Sequence, residues 1–144
     1  MMLQFYKMTG SHHDFVMVDN RESELSSVLS HGNIADICNR RFGVGADGLI
    51  VVGPAQSKNS VCMHYYNADG TETDACDDAL LCSAAFVDFL LDGKPAGVRF
   101  ETKAGKMKGV VNADDSVTVT RGQEKPITGQ ALIVFCGELI VCEE

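Results

Sequence analysis

Residues 77 to 91, DDALLCSAAFVDFLL, constrain the fold of this chain more than any other segment. The run contains neither Gly nor Pro and reads as helix throughout, yet its apolar side chains lie almost all round the axis instead of along one stripe. A helix of that kind is stable in water only when protein covers it on most sides. It is too short to span a bilayer, and Asp88 falls inside it, so the cover must come from the rest of the chain.

Strands are what the chain offers as cover. LQFYKMTG and DFVMVDN read as two short strands around a polar turn, because both are rich in aromatic and branched residues and are bounded by Gly10 and Asn20. RESELSSVLSHG follows as a polar surface connection. NIADICNRRFG reads as a second helix, with Asn33 as N-cap, Asp36 in its first turn, Arg40 and Arg41 at its end and Gly43 as its stop. GLIVV and SVCMHYY are expected to be neighbouring strands joined through the Gly-Pro turn of VVGPAQSKN. Beyond the central helix, GVRFET, KMKGVV, SVTVTR and ALIVFCGELIVC read as strands separated by Gly, Asn-Ala-Asp-Asp and Pro turns. The architecture expected is α+β: a curved, mostly antiparallel sheet or barrel wrapped around one central apolar helix. At 144 residues it is one domain, 1–144, large enough to bury a core without metal or disulfide staples.

Charge and cysteine usage narrow the function. The formal net charge of −8 and the lack of any basic stripe exclude nucleic acid as a partner. The N-terminus lacks a basic-then-apolar export pattern and no segment suits a membrane, so the expectation is a cytoplasmic protein with no membrane partner. Without export, the six cysteines at 38, 62, 76, 82, 136 and 142 read as small core hydrophobes, with one or two reactive, and not as a disulfide framework. No CxxC pair occurs, and Cys76 and Cys82, six residues apart on a helix, point about 240° apart. GVGADG, residues 43 to 48, matches a dinucleotide fingerprint in letters only. That fingerprint needs a strand before it and a helix after it, and here the order is reversed, so its glycines are read as serving tight turns.

Four stretches, FYKMTGSHHDFVMVDN, CNRRFGVGADGLIVV, YYNADGTETDAC and VRFETKAGK, together resemble the N-terminal lobe of the diaminopimelate epimerase family over roughly residues 3 to 121. The resemblance implies a cofactor-independent amino-acid isomerase of lysine and peptidoglycan biosynthesis. In that family two similar lobes face each other across a cleft and each contributes one cysteine: a thiolate removes the α-proton from one face while a thiol returns one from the other, and helix N-termini bind the α-carboxylate. A helix N-terminus also favours the thiolate. By this resemblance Cys76 is the catalytic thiol, Asn67 binds substrate, and Asp14 with Phe15 ends the family's Gly-Asn-Asp-Phe turn. Residues 129–142 resemble the family's C-terminal closing strand, which returns to pack on the first lobe.

The departures fall at the site itself. His12-His13 stands where the family has Gly-Asn, and CDDALL, residues 76 to 81, where it has Cys-Gly-Asn-Gly-Ala-Arg. His13 and Asp78 thus replace substrate-contacting asparagines, Asp77 and Ala79 replace bare glycines, and Leu81 replaces the arginine. Two carboxylates at a helix start oppose both a substrate carboxylate and a thiolate.

Two chemistries remain open for the acidic pair. Asp77 and Asp78 are suited to cap the helix, stabilising it by about 0.5–2 kcal/mol. They are also suited to bind a divalent metal such as zinc, with His12, His13, Asp78 and Cys76 at one mouth, although adjacent histidines in extended chain point opposite ways. Cys62 and His64 share a strand face, which reads as packing beside Tyr66 in preference to a metal pair. The sequence as a whole is read as a single-lobe relative or engineered derivative of the epimerase. Cys76 is its thiol and Asn67, His13, Asp77 and Asp78 its substrate-binding positions, with a small amino acid as substrate, impaired or absent native activity, and no cofactor. The alternative is a metal-binding or inert scaffold. A homodimer would bring two Cys76 thiols to one cleft.

Overall fold

Two chain crossovers set the architecture of the computed structural model, which describes residues 1–54, 60–93 and 97–142. Strands β1 (Met2–Thr9) and β2 (Asp14–Asp19) form a hairpin, and β2 then pairs in parallel with β3 (Gly48–Pro54). Parallel neighbours need a long connection, and this one carries a short 3-10 turn, Ser26–Val28, and helix α1 (His31–Cys38) over one face of the sheet. Strand β4 (Val61–Asn67) pairs antiparallel with β3, and the two-residue β5 (Glu72–Thr73) pairs with β4. The second crossover carries helix α2 (Asp77–Leu90) before the chain joins β4 in parallel as β6 (Val98–Thr102). The antiparallel strands β7 (Gly105–Val111), β8 (Val117–Thr120) and β9 (Ile127–Gly129) follow, and β10 (Leu132–Ile140) returns to pair with β1.

The resulting order is β10-β1-β2-β3-β4-β6-β7-β8-β9, with β5 on β4. Two of the nine pairings are parallel and seven antiparallel. The expected curved, mostly antiparallel sheet around one apolar helix is what forms. α2 buries Leu81, Cys82, Ala84, Phe86 and Val87 against Met17, Ile50, Val52, Phe100, Met107 and Val119 of the sheet. The opposite face packs Val16, Val18, Leu49 and Val51 against Ile34 and Ile37 of α1. β2 and β3 therefore feed two cores in alternation, which is why they read as continuous apolar runs. Among the described residues no helix is long and apolar enough to cross a membrane.

Local differences from the sequence reading have identifiable causes. α1 starts at His31, not after Asn33: Ser30 is the N-cap, its Oγ accepting the Asn33 N–H at 3.1 Å. Serine is as good a cap as asparagine, and choosing it frees the buried Asn33 amide to donate to the carbonyls of Val28 at 3.0 Å and Cys142 at 2.8 Å. Asp36 therefore lies beyond the first turn, and the helix stops at Cys38, before Arg40 and Arg41, where the Asn39 side-chain oxygen Oδ1 accepts the N–H of Arg41 and of Phe42, both at 2.9 Å. GVGADG runs from helix into strand, and a side chain at Gly43 would place its Cβ 2.1 Å from the Asp36 carbonyl oxygen, so close packing accounts for that glycine. β9 falls between SVTVTR and ALIVFCGELIVC, where the sequence suggested only a turn at Pro126; Thr128 lies opposite Thr118 there, their hydroxyls 2.8 Å apart. Part of the VVGPAQSKN turn, residues 55–59, lies outside the described residues.

Candidate active site

The β1–β2 turn and the start of α2 meet at one end of the sheet, and one carboxylate joins them. Asp78, in the first turn of α2, is buried. Its Oδ2 accepts from the backbone N–H of His12 at 2.8 Å and of His13 at 2.9 Å, and its Oδ1 from that of Ser11 at 3.3 Å. The His13 ring Nδ1 is 3.2 Å from the same Oδ2. Gly10 makes room, since a Cβ there would lie 2.7 Å from Asp78 Cγ. Burial pushes the Asp78 carboxyl up, but the His12 N–H, the His13 ring and the N–H groups of Ser11 and His13 outweigh it and hold the group below its usual range.

Capping is therefore not what the acidic pair does. The N-cap of α2 is Cys76, whose side chain makes no cap hydrogen bond, and both aspartates lie inside the helix. Asp77 is exposed and Asp78 spends its oxygens on the facing turn. The metal arrangement expected of His12, His13 and Asp78 does not form either: among the described residues no three His, Cys, Asp or Glu side chains are grouped to hold an ion. Asp78 is already saturated by N–H donors, and those donors are what a cation would have to displace. Cys62 and His64 do not pair; the His64 ring lies 3.3 Å from Glu72, which Lys103 approaches at 3.5 Å.

Beside the Asp78 contact lies a cavity of about 210 Å3 lined by His13, Phe15, Tyr65, Asn67 and Cys76, among others. The structure thus gathers Cys76, Asn67 and His13 at one opening; Asp78 braces it from behind, and His12 and Asp77 are exposed outside the lining. Asn67 is exposed, and its Nδ2 donates to the Thr71 hydroxyl at 3.2 Å. The Tyr65 hydroxyl, pushed above its ordinary range by burial, is 2.8 Å from Ser83 Oγ, which donates to the Ala79 carbonyl at 2.7 Å. This chain of bonds ties the cavity floor to α2.

A second polar cluster was not foreseen from sequence. Arg40 donates to both oxygens of Asp14, at 2.8 and 3.1 Å, and reaches Asp47 at 3.3 Å. Lys7, buried in the sheet, pairs with Asp14 at 3.1 Å and donates to the Gly45 carbonyl. The cluster clamps GVGADG onto β1 and β2 and sets Asp47 in the cavity wall. Its only sequence trace is that Asp14, Arg40 and Asp47 sit inside stretches matching the family.

A mixed sheet curled around one buried helix is the half-barrel fold found in the proline racemase, phenazine-biosynthesis and diaminopimelate epimerase group. The fold resembles that of a hydroxyproline epimerase from Agrobacterium vitis, with a TM-score of 0.59 at 15% identity over 83% of this chain and 40% of that one. It equally resembles a phenazine biosynthesis protein of the PhzF family from Enterococcus faecalis, with a TM-score of 0.61 at 12% identity over 83% and 44%. At those identities the likeness is one of fold. The sequence goes further: the diaminopimelate epimerase family profile matches residues 5–126. A diaminopimelate epimerase from Gemmatimonas aurantiaca is 45% identical over 103 residues, 72% of this chain and 37% of that protein. One from Synechococcus elongatus is 34% identical over 143 residues, 98% of this chain and 51% of that protein. This chain belongs to the diaminopimelate epimerase family, and it spans about half the length of these relatives or less.

Proposed function

We propose that this chain provides one lobe of a cofactor-independent amino-acid epimerase, in which Cys76 exchanges the α-proton of a small amino acid of the diaminopimelate kind. The observation that carries the reading is the shared cavity: Cys76, Asn67 and His13, three positions matched to the family's site, line one opening. Cys76 sits at the N-cap of α2, where the unpaired amides of the first turn favour a thiolate and a carboxylate alike. The acidic pair works against this. Asp78 fills the amides of the facing turn and Asp77 adds negative charge, so a substrate carboxylate is bound weakly and turnover is low.

One thiol serves one face of the α-carbon, and the reaction needs an acid on the other. A homodimer supplies it, with two Cys76 side chains across one cleft. Exposed apolar residues support self-association: Leu132 is 53% and Val134 57% exposed on β10, and Leu132 pairs with Thr9, next to the turn that borders the cavity. The test is the loss of the α-proton NMR signal of diaminopimelate in deuterated water. Exchange that rises faster than linearly with protein concentration and vanishes in Cys76→Ala is expected. No exchange at stoichiometric, concentrated protein would overturn the reading.

A further inference from the structure

Two of this chain's departures from its family touch each other. His13 and Asp78 both stand where the family is expected to carry asparagine, and the His13 ring Nδ1 lies 3.2 Å from Asp78 Oδ2. Two separate amides have thus become one imidazole–carboxylate pair. An ionised carboxylate only accepts hydrogen bonds, so the hydrogen on the neutral ring sits at Nδ1 and Nε2 is left with a lone pair. No protein group occupies Nε2 among the described residues, and the ring is 49% exposed and lines the cavity into which Cys76 opens. The Asp78 carboxylate cannot swing away from the ring, because three backbone N–H groups hold it in place.

We propose that His13 is the proton acceptor for the Cys76 thiol and that Asp78 positions it, so that this cavity holds a thiol–imidazole pair within a single lobe. The inference rests on the reading of Cys76 as the reactive thiol and adds the partner that activates it. The charges facing the pair make such a partner necessary. Asp74 just before α2 and Asp47 at the entry to β3 line the opening, Asp78 stands behind it and Asp77 is exposed outside it, as is His12 on the turn, while burial pushes Tyr65 and Tyr66 of β4 above the ordinary tyrosine range and keeps them uncharged. A lone thiolate among these carboxylates is opposed by like charge, whereas transfer of its proton to Nε2, directly or through one water, leaves a cation in the same cavity. The pair suits small molecules that are either soft electrophiles or carbon acids: the thiolate attacks or abstracts, and the imidazolium returns the proton.

Alkylation by iodoacetamide reads this without any amino-acid substrate. The sulfur–carbon bond forms, the carbon–iodine bond breaks, iodide leaves, and the thiol proton passes through His13 to buffer. The rate at Cys76 is followed by peptide mass spectrometry from about pH 5 to 10, with the exposed Cys136 and Cys142 of the same molecule as controls. In the native protein Cys76 is expected to react about tenfold faster than Cys142 near pH 6.5 and to show an extra inflection on the acid side. His13→Gln removes both the advantage and the inflection, and Asp78→Asn moves the inflection. Should Asp78→Asn fail to fold, as judged by circular dichroism, His13→Gln decides alone, because its ring is half exposed and carries little of the core. Superimposable native and His13→Gln profiles with one ordinary thiol titration overturn the proposal. Absent α-proton exchange with the acid-side inflection intact would sink the epimerase reading and leave this one standing.

Discussion

Asp14 and Asp47 hold each other's backbone across the mouth of the sheet: the Asp14 N–H donates to Asp47 Oδ2 at 3.1 Å and the Asp47 N–H to Asp14 Oδ1 at 2.9 Å. Two carboxylates this close repel unless cations neutralise them, and Arg40 and Lys7 do so. The Arg40 guanidinium, against the opposing effect of burial and helped by the Asp47 N–H and Lys7, holds the Asp14 carboxyl well below the usual carboxylate range. A group whose folded-state pKa is depressed contributes stability above its unfolded value, near 3.9, and loses it as pH falls through the folded value. Asp14→Asn should therefore cost about 1–3 kcal/mol at neutral pH and flatten the loss of stability below about pH 4. Urea midpoints across that range check this; an acid limb as steep as the native one would refute it.

The two adjacent aspartates of α2 should behave very differently when truncated. Asp78→Ala leaves the N–H groups of Ser11, His12 and His13 without their acceptor and unpins the turn, at about 1–3 kcal/mol. Asp77→Ala removes only an exposed carboxylate and should leave the urea midpoint nearly unchanged. Because the Asp78 carboxyl is also held below its usual range, the cost of its loss should shrink as pH falls below about 4. Equal effects of the two substitutions at pH 7 would contradict the geometry.

What could be read in the sequence follows from how local each signal is. The all-round apolar pattern of Leu80 to Leu91 announces a covered helix whatever covers it, and the aromatic and branched residues of β1 and β2 announce strands, so the wrapped-helix architecture was legible. Ser30 against Asn33 as N-cap was not, since both caps are good and the choice is settled by Cys142, whose carbonyl takes the Asn33 amide from 109 residues away. The site was half legible. The motif pointed to Cys76, Asn67 and His13, which line one cavity, but the direction of the Asp78 side chain depended on an extended turn 65 residues earlier presenting three N–H groups and on Gly10 leaving space. A carboxylate at a helix start reads as a cap by default because the nearest donors in sequence are the helix's own amides. Here the nearest in space belong to another strand pair.

Native-state labelling should separate the six cysteines by burial. Burial pushes the Cys38 thiol up to about 11, and burial with the nearby Asp78 and Cys76 pushes Cys82 up to about 12. Both should resist a thiol reagent near pH 8 until the protein unfolds, because so little thiolate is present and the sulfur is covered. Cys76, Cys136 and Cys142 are exposed and should react in the folded state. The partly buried Cys62, also shifted upward by burial, should fall between the two groups. Fast native labelling of Cys82 would show that α2 is not enclosed as described.

The last strand is where association should be tuned without touching the core. β10 pairs with β1 along one edge only, and no strand pairs with its other edge among the described residues. Its side chains are apolar on both faces, with Phe135 47% and Ile140 83% exposed, and Glu138 is the one charge between residues 131 and 142. A long uncharged edge of this kind recruits another strand, whereas proteins that stay apart place lysine there. In a chain of net charge −8, an apolar stripe is also the surface on which two copies approach with least repulsion. Val134 sits at the irregularity where the β1 register shifts between Lys7 and Met8, so its side chain has no cross-strand partner to lose. Val134→Lys and Ile140→Lys together are expected to leave the urea midpoint of dilute protein within about 0.5 kcal/mol of native. In size exclusion at rising protein concentration they should shift the profile toward the monomer. If the native chain elutes as a monomer at every concentration, or the double variant associates as the native chain does, β10 is not the surface that brings copies together.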